Sequence, residues 1–283
     1  MLGFNASKEG ALKIWEERAS IWQPDGLSPW RPSPGDLALY EKLGADKLRG
    51  QVLILGATPE LRDLVSGYGK KYVLADISPA MILRMTSFLK RADPANEIWI
   101  KADWCELPLP KNYFDLVMGD MPWTVIAIQE QEKLRDKIAS VLKTGGLFIT
   151  RARLRNPARA GENGLGVIQR YLEKLDVHPE RRHIIGNETV SYLHDVTADE
   201  EGKRTDEAKT KALLLEAAAI SRTPFHKKFL EGLSRRTLGA DWTSQTREEL
   251  LQLVGEKFSL VAESRATDYD SEWYPVLAFT KHA

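Results

Sequence analysis

The sequence predicts an α/β protein with a doubly wound, mostly parallel sheet of seven strands, an antiparallel last strand and a helical insert. The first supporting observation is the stretch 51–76, where an apolar strand, a tight turn, a helix and a second strand follow one another. The second is that strands alternate with helices as far as residue 151, which indicates parallel strands joined by right-handed crossovers. The third is that a helix-rich stretch breaks this alternation before two final strands.

The first strand, turn and helix are clear in the residue types. Val52–Leu55 is an apolar run without polar alternation, which indicates a strand covered on both faces. Gly56 ends this strand, Thr58 is a good helix N-cap, and Pro59 suits the first helical position. The apolar run 72–75 is predicted to form the second strand, parallel to the first.

An acid lies at the tip of the second strand. Asp76 follows Gly56 by twenty positions, about the interval at which a carboxylate accepts hydrogen bonds from the hydroxyls of a ribose. The turn contains a single glycine and carries Glu60 where a pyrophosphate would sit, so it does not favour a dinucleotide. A ligand with a ribose, an amine and a positive centre fits this turn better, and S-adenosylmethionine is such a ligand.

The other elements are predicted in chain order. Further strands are expected at 97–101, 114–118, 147–151, 258–267 and 274–281. Helices that accompany the sheet are expected at 36–43, 80–91 and about 124–142. The insert is predicted to contain helices at 165–175, 207–220 and 225–236. Thr246 and Glu249 form a capping box that opens a last crossover helix.

Composition excludes several classes of protein. Lysine and arginine number 40, as do aspartate and glutamate, so no overall field attracts nucleic acid or an anionic membrane. A single cysteine, Cys105, excludes an internal disulfide and a cysteine-based zinc site, and no metal is predicted. No stretch approaches the length of a membrane span, and the N-terminus lacks a signal pattern. A soluble, cytoplasmic protein is predicted.

Four segments in this order resemble the class I S-adenosylmethionine-dependent methyltransferases. The segments are VLILGATPEL, LADISPAMI, KADWCELPL with FDLVMGD, and LKTGGLFIT. None is specific alone, but the ordered set at these spacings is characteristic, and the closing pair of strands also suits the family. The resemblance covers about 51–152 and 245–283, and it implies a Rossmann-like sheet that binds S-adenosyl-L-methionine.

The resemblance also implies roles for individual residues. Those expected to bind the cofactor are Gly56, Ala57, Thr58, Asp76, Ile77, Met81, Asp103, Trp104 and Asp120. The first three would line the methionine end, Asp76 would hold the ribose, and Ile77 and Met81 would pack on the adenine. Asp103 would bind the adenine amino group, with Trp104 beside the ring. Glu60 has two interpretations: it binds the methionine amine, or it complements the helix N-terminus.

The chain is predicted to divide into four parts. Residues 1–50 form a helical segment packed on the core, and residues 51–152 form the S-adenosylmethionine-binding core. Residues 153–240 form a helical insert that acts as a lid and shapes the acceptor pocket. Residues 241–283 supply the last helix and strands. Three N-terminal tryptophans, Trp15, Trp22 and Trp30, are expected to pack on the sheet; alternatively, one of them or Arg31 lines the mouth of a ligand cleft.

The catalytic residues remain open at this level. Candidates for a general base are Asp120, His183, His194 and Asp195, and a base is needed only for a hydroxyl or a protonated amine. The stretch Asp120-Met121-Pro122-Trp123 is similar to the [Asp/Asn]-Pro-Pro-aromatic signature of methyltransferases acting on planar amino groups, although Met121 departs from it. The alternative is an ordinary loop at a strand end.

The methyl acceptor is predicted to be a small molecule, since the charge balance does not favour nucleic acid. The stretch 151–159 holds four arginines, Arg151, Arg153, Arg155 and Arg159, and no acid. It either binds an anionic acceptor or pairs with the acids at 195–207. The predicted reaction is methyl transfer to an oxygen or nitrogen nucleophile. The alternatives are a nucleic-acid or protein methyltransferase and a non-catalytic S-adenosylmethionine-binding module. The oligomeric state is not predicted.

Overall fold

A computed structural model describes residues 8–21, 28–199, 204–235 and 242–282. Its strands are β1 (Val52–Leu55), β2 (Tyr72–Asp76), β3 (Glu97–Lys101), β4 (Phe114–Asp120), β5 (Leu142–Arg151), β6 (Phe258–Ser264) and β7 (Val276–Lys281). Its α-helices are α1 (Lys8–Ile21), α2 (Pro34–Gly44), α3 (Pro59–Ser66), α4 (Pro79–Thr86), α5 (Pro122–Val125), α6 (Gln131–Val141), α7 (Gly164–Val177), α8 (Arg182–Val196), α9 (Glu207–Ile220), α10 (Pro224–Ser234) and α11 (Arg247–Gly255).

The strands form one seven-stranded sheet in the order β3-β2-β1-β4-β5-β7-β6. The first five strands pair in parallel, and β7 lies antiparallel to both β5 and β6. The predicted fold class, including the antiparallel last strand, is confirmed. The chain progresses outward from β1 to β3 and then returns to β4, so the strand order reverses between β1 and β4. In such sheets a crevice opens at this point, beyond the carboxyl ends of the strands.

Both faces of the central strands are covered, as the unbroken apolar run of β1 predicted. Leu53 and Leu55 pack in a core layer on one face of the sheet, together with α6 and α11. Val52 and Ile54 pack in the layer on the other face, with α2, α3 and α4. The alternation of side chains along a strand sends neighbours to opposite faces, so each needs its own helical layer.

The insert has an apolar core of its own, formed by α7, α8, α9 and α10. The sequence did not predict α8, although α8 lies at the centre of this core. Its buried positions include Asn187, Glu188 and Thr189 as well as the apolar residues, so polar and apolar side chains do not separate onto two faces. A helix enclosed on nearly all sides shows no amphipathic period in its sequence.

Two predicted helices are shorter than expected. The helix predicted at 80–91 ends at Thr86, because the backbone N–H groups of the following residues 90–92 donate to the carboxylate of Asp63. The helix predicted at 124–142 is two helices, α5 and α6, with a 3₁₀ turn between them. The buried side chain of Gln131 donates to the carbonyls of Trp123 and Ile126, which stabilises the break.

The ends of four strands also differ from the prediction, and β4 continues to Asp120 rather than ending at 118. Strand β5 begins at Leu142 rather than at 147, because Leu142 pairs with Phe114 before the register shifts. Strand β6 ends at Ser264 rather than at 267, and β7 begins at Val276 rather than at 274.

None of the helices in the described part of the chain has both the length and the apolarity needed to cross a lipid bilayer.

Candidate active site

A cavity of about 500 Å³ lies at the carboxyl ends of the parallel strands. This volume falls within the range of small-molecule sites. The cavity wall contains every residue that was predicted to bind the cofactor: Gly56, Ala57, Thr58, Asp76, Ile77, Met81, Asp103, Trp104 and Asp120. Other parts of the wall come from α1, α8, the stretch 121–133 and the segments near residues 30, 153, 242 and 274. The sheet, the N-terminal helix and the insert therefore share one cavity.

The turn after β1 requires a glycine. Gly56 has a φ of +93°, a conformation that side chains with a Cβ rarely adopt. A Cβ built at Gly56 would also lie 3.3 Å from the indole ring of Trp104. Thr58 occupies the N-cap position of α3, as predicted, although its side chain makes no capping hydrogen bond. Thr58 instead lines the cavity.

Asp76 lies at the end of β2 and is oriented by the turn that follows it. Its Oδ1 accepts a hydrogen bond of 2.8 Å from the backbone N–H of Ser78. Burial raises the pKa of the Asp76 carboxyl to about 6, against the opposing effect of hydrogen bonds from nearby backbone N–H groups. Because burial of a carboxylate is unfavourable unless it accepts hydrogen bonds, donors from a ligand would stabilise Asp76.

Asp103 and Trp104 follow β3. Asp103 Oδ1 accepts a hydrogen bond of 2.9 Å from the N–H of Cys105 and so begins a short 3₁₀ turn. Trp104 Nε1 donates to the carbonyl of Ala75 at 2.7 Å. This bond holds the indole across the tips of neighbouring strands, where it offers a flat apolar surface to a ligand.

Asp120 lines the cavity but is already paired. Its two carboxylate oxygens accept hydrogen bonds of 2.8 and 3.0 Å from Arg151. Arg151 also lies 3.2 Å from Asp36 Oδ2, and both of these side chains are fully buried. A carboxylate engaged by both oxygens in such a pair is a poor proton acceptor. The arrangement therefore contradicts the role of general base that was considered for Asp120.

The two candidate histidines differ in position. His183 is not part of the cavity wall, and its Nε2 accepts a hydrogen bond from Arg182, so it is not a catalytic candidate. His194 lines the cavity, is 4% exposed, and its Nε2 has no hydrogen-bond partner within the described residues. Burial lowers the pKa of His194 well below its usual value, and Arg153 and Arg18 lower it further. His194 is therefore uncharged at neutral pH.

The stretch that was compared with the amine-methyltransferase signature is a strand-end turn. Met121 has a φ of +52°, and Pro122 begins the short helix α5. Trp123 points into the core, where its ring packs edge-on against Phe148 with centroids 6.2 Å apart. Because Trp123 does not line the cavity, it cannot bind a planar acceptor there. The structure supports the alternative, a loop at the end of β4.

The arginines at 151–159 pair with acids, but only two of the four do so with an acid in the predicted range 195–207. Arg153 and Arg159 lie 2.7 and 3.2 Å from the two oxygens of Asp195. Arg155 lies 3.4 Å from an acid on α11. With Arg151 in the pair described above, the four arginines form no common anion site, and only Arg153 of the run lines the cavity. Asp195 does not line the cavity, which removes it as a candidate base.

The N-terminal segment contributes more to the cavity than the sequence indicated. Trp15, Trp30 and Arg31 line the wall, which supports the cleft interpretation for them; Trp22 lies outside the described residues. Arg31 forms an ion pair with Glu60. Glu60 Oε2 has no hydrogen-bond partner among the described residues, and burial raises the pKa of the Glu60 carboxyl.

The cavity residues that were not predicted include Arg18, Trp242 and Tyr274. Arg18 lies three positions after Trp15 on α1, and this spacing places both side chains on one face of the helix. That spacing was the only signal in the sequence that could have indicated Arg18.

Within the ranges that the structure describes, no group of three or more His, Cys, Asp or Glu side chains could hold a metal ion.

Residues 56–146 match a family model that is described as a methyltransferase domain. A solved structure from Rhodobacter sphaeroides, assigned provisionally as a Zn-dependent alcohol dehydrogenase, is 17% identical with a TM-score of 0.56 and covers 94% of this chain and 98% of that one. A Haloferax volcanii complex of the Trm112 methyltransferase activator with a protein assigned provisionally as a methyltransferase is 13% identical (TM-score 0.54; 95% and 98% covered). The Bradyrhizobium japonicum N-methyltransferase NodS with S-adenosylhomocysteine is 11% identical (TM-score 0.52; 95% and 97% covered).

No curated protein sequence shows significant similarity to this chain. At these identities the solved structures show the fold alone, and the functions of the individual proteins do not transfer. The family-model match adds sequence information, since it begins at Gly56 and includes Asp76, Asp103 and Asp120. Residues 56–146 are thus similar to a methyltransferase domain, and they lie within a seven-stranded, Rossmann-like sheet.

Proposed function

We propose that this protein transfers the methyl group of S-adenosylmethionine to an oxygen or nitrogen nucleophile of a small molecule. One observation carries the proposal: Gly56, Asp76 and Asp103, from three different strand ends, line one cavity that continues to the insert. The strand-end part suits the cofactor, and the part beside the insert suits an acceptor. The small size of the acceptor and a cytoplasmic location stay predictions from the sequence.

The cofactor assignment follows the chemistry of each side chain. Asp76 would accept hydrogen bonds from the ribose hydroxyls, and Asp103 would accept one from the adenine amino group. Ile77, Met81 and Trp104 would provide the apolar contacts of the adenine. The unpartnered oxygen of Glu60 supports its assignment to the positively charged amine of the methionine part.

In the proposed reaction the acceptor nucleophile attacks the methyl carbon of the sulfonium in line with the carbon–sulfur bond. That bond breaks, its electron pair stays on sulfur, and S-adenosylhomocysteine leaves. An O–H or N–H nucleophile releases its proton to solvent. The leaving group is already activated by its charge, so the protein contributes chiefly by aligning the two molecules and excluding water.

The charge arrangement favours a small acceptor over nucleic acid. A nucleic-acid methyltransferase would use the arginines at 151–159 as an exposed basic stripe leading to the cavity. These arginines are instead buried or partly buried in ion pairs, so they offer no such stripe. Salt-sensitive binding of RNA or DNA would contradict this reasoning.

Titration calorimetry with S-adenosylhomocysteine tests the proposal directly. We expect saturable binding with a dissociation constant in the micromolar range, competition by S-adenosylmethionine, and no binding of NAD⁺. Labelled S-adenosylmethionine incubated with the protein and a mixture of small metabolites should then yield a labelled product. A folded sample that binds neither cofactor form would refute the proposal, and binding without turnover on any extract would support the non-catalytic alternative.

Cofactor affinity is expected to depend on pH through Asp76. Ribose hydroxyls stabilise the ionised carboxylate, so binding releases a proton from the fraction of Asp76 that is protonated, and affinity rises with pH through about 6. At pH of about 5 only about a tenth of the free protein has an ionised Asp76, so affinity should be about 10-fold lower than above pH of about 7. Calorimetry across this range measures the effect, and Asp76→Asn should abolish it. The same pH dependence in that variant would contradict the assignment.

A further inference from the structure

Three buried basic side chains line the cavity where α1, α8 and the segment after β5 meet. Arg18, Arg153 and His194 are 4%, 8% and 4% exposed. Each has at least one nitrogen without a hydrogen-bond partner among the described residues: Nε and Nη2 of Arg18, Nε of Arg153, and Nε2 of His194. Buried polar groups are nearly always hydrogen-bonded, so this convergence of unpartnered nitrogens indicates a place for a ligand.

The acids that accompany the two arginines are not in the cavity wall. Arg18 Nη2 lies 3.6 Å from Glu207 Oε1, and Arg153 Nη2 donates to Asp195 Oδ1 at 2.7 Å. Neither Glu207 nor Asp195 lines the cavity. The cavity wall at this place therefore contains the two arginine side chains but not the acids that pair with them. Guanidinium groups bind carboxylates better than any other side chain does.

Acidic side chains line the cavity elsewhere. Those that do so all belong to the stretch 60–130, at or near the strand ends: Glu60, Asp76, Asp103, Glu106, Asp120 and Glu130. The acidic wall suits the positively charged cofactor, and the basic wall would repel its sulfonium. The two walls thus favour ligands of opposite charge.

Aromatic rings lie close to the basic side chains of the cavity wall. The guanidinium carbon of Arg18 lies 4.5 Å from the ring centroid of Trp242 and 5.8 Å from that of Trp15. The rings of Trp15 and Trp242 meet edge-on with centroids 6.4 Å apart. Trp30 also lines the cavity, and its Nε1 donates to Ser191 Oγ at 3.2 Å, which orients the indole. Such a wall favours an aromatic ligand.

From these observations we infer that the methyl acceptor is an aromatic carboxylic acid. Its ring packs against Trp15, Trp30 and Trp242, and its carboxylate accepts hydrogen bonds from Arg18 and Arg153. His194, which is uncharged, supplies a further hydrogen-bonding nitrogen beside the carboxylate site. This inference rests on the proposed function, because it assigns the acceptor for the same cavity, but the binding of the acid can be measured separately from cofactor binding.

The test compares three probes on the unmodified protein, with and without saturating S-adenosylhomocysteine. The probes are 4-hydroxybenzoate, its uncharged analogue 4-hydroxybenzamide, and the non-aromatic acid cyclohexanecarboxylate. Quenching of tryptophan fluorescence and calorimetry report binding. We expect 4-hydroxybenzoate to bind at least about 10-fold more tightly than either analogue, because only it satisfies both the guanidinium groups and the aromatic wall.

Arg18→Gln provides the corresponding variant. We expect it to lower the affinity for 4-hydroxybenzoate about 10-fold or more and to leave the affinity for the benzamide within about twofold. Arg222→Gln, an exposed position of the insert outside the cavity, is the matched control and should bind both probes as the unmodified protein does. Thermal unfolding establishes that each variant is folded.

The outcomes separate the two proposals. Equal affinity for the benzoate and the benzamide, or no benzoate binding at millimolar concentration, would overturn the aromatic-acid inference whether or not the cofactor binds. Equal binding of cyclohexanecarboxylate would overturn its aromatic part. A preference for the benzoate in a protein that does not bind S-adenosylhomocysteine would support the anion site and refute the proposed methyl transfer. The probe comparison needs no variant, so a failure of Arg18→Gln to fold would not affect it.

Discussion

Replacing Asp76 with alanine is expected to lower the affinity for S-adenosylhomocysteine about 100-fold. The carboxylate is proposed to accept hydrogen bonds from both ribose hydroxyls, and each bond to a charged group contributes about 1.5 kcal/mol or more. Two such bonds amount to about 3 kcal/mol, which corresponds to about a 100-fold change in the dissociation constant. Titration calorimetry at pH of about 7.5, where the carboxylate is ionised, measures this change.

Two further substitutions define what the Asp76 result means. Asp76→Asn keeps an oxygen that can accept from Ser78 but removes the charge, so a loss of about 10-fold is expected. Its fold should be at least as stable as that of the unmodified protein, because burial disfavours the ionised form of Asp76. Asp46→Ala removes an exposed acid outside the cavity and should leave affinity unchanged. Unchanged affinity in a folded Asp76→Ala protein would contradict the cofactor assignment.

Replacing Arg151 with alanine is expected to lower the free energy of unfolding by about 3–5 kcal/mol. Arg151 is fully buried and makes hydrogen bonds to Asp120, Asp36 and the hydroxyl of Tyr269. Its removal leaves two buried carboxylates without a cation, and an uncompensated buried charge costs about this much. Urea denaturation followed by circular dichroism measures the loss.

The pH dependence of that loss identifies its cause. Burial raises the pKa of the Asp36 carboxyl and Arg151 opposes this rise, so without Arg151 the Asp36 carboxyl is protonated more readily and the loss should be smaller at pH of about 5.5 than at about 7.5. Arg155→Ala is the matched control from the same run of arginines, because its partner Glu249 is 39% exposed and the pair lies 3.4 Å apart. It should cost about 1 kcal/mol or less. Equal losses for the two variants would show that the buried pair has no special role.

The cofactor part of the site could be predicted because it follows from local patterns. Gly56, Asp76, Asp103 and Asp120 each come directly at or after the end of a strand with an apolar run. Parallel strands place their carboxyl ends at one edge of the sheet, so a correct strand assignment brings these residues together without knowledge of any long-range contact. All four line the cavity.

The part of the cavity beside the insert could not be predicted in this way. Arg18 contacts Trp242, which is more than 200 positions away in the sequence. His194 lies on α8, where polar and apolar residues are both buried, so the sequence shows no amphipathic helical period there. For the arginine run the sequence left two interpretations, and the buried acids on other elements decided between them. Asp120 shows the same limit: its position followed from the strand pattern, but its pairing with Arg151 depends on the neighbouring strand β5.

The sequence by itself determined the sheet, the order of its strand ends and the acids that line the cavity at these ends. These depend on apolar runs, turn residues and spacings within short segments. Only the tertiary structure decided which charged side chains are neutralised and which remain available to a ligand. The reason is physical: the partner of a buried charge is chosen by distance in space, and here Arg18, Arg151 and Arg153 find their partners on distant elements.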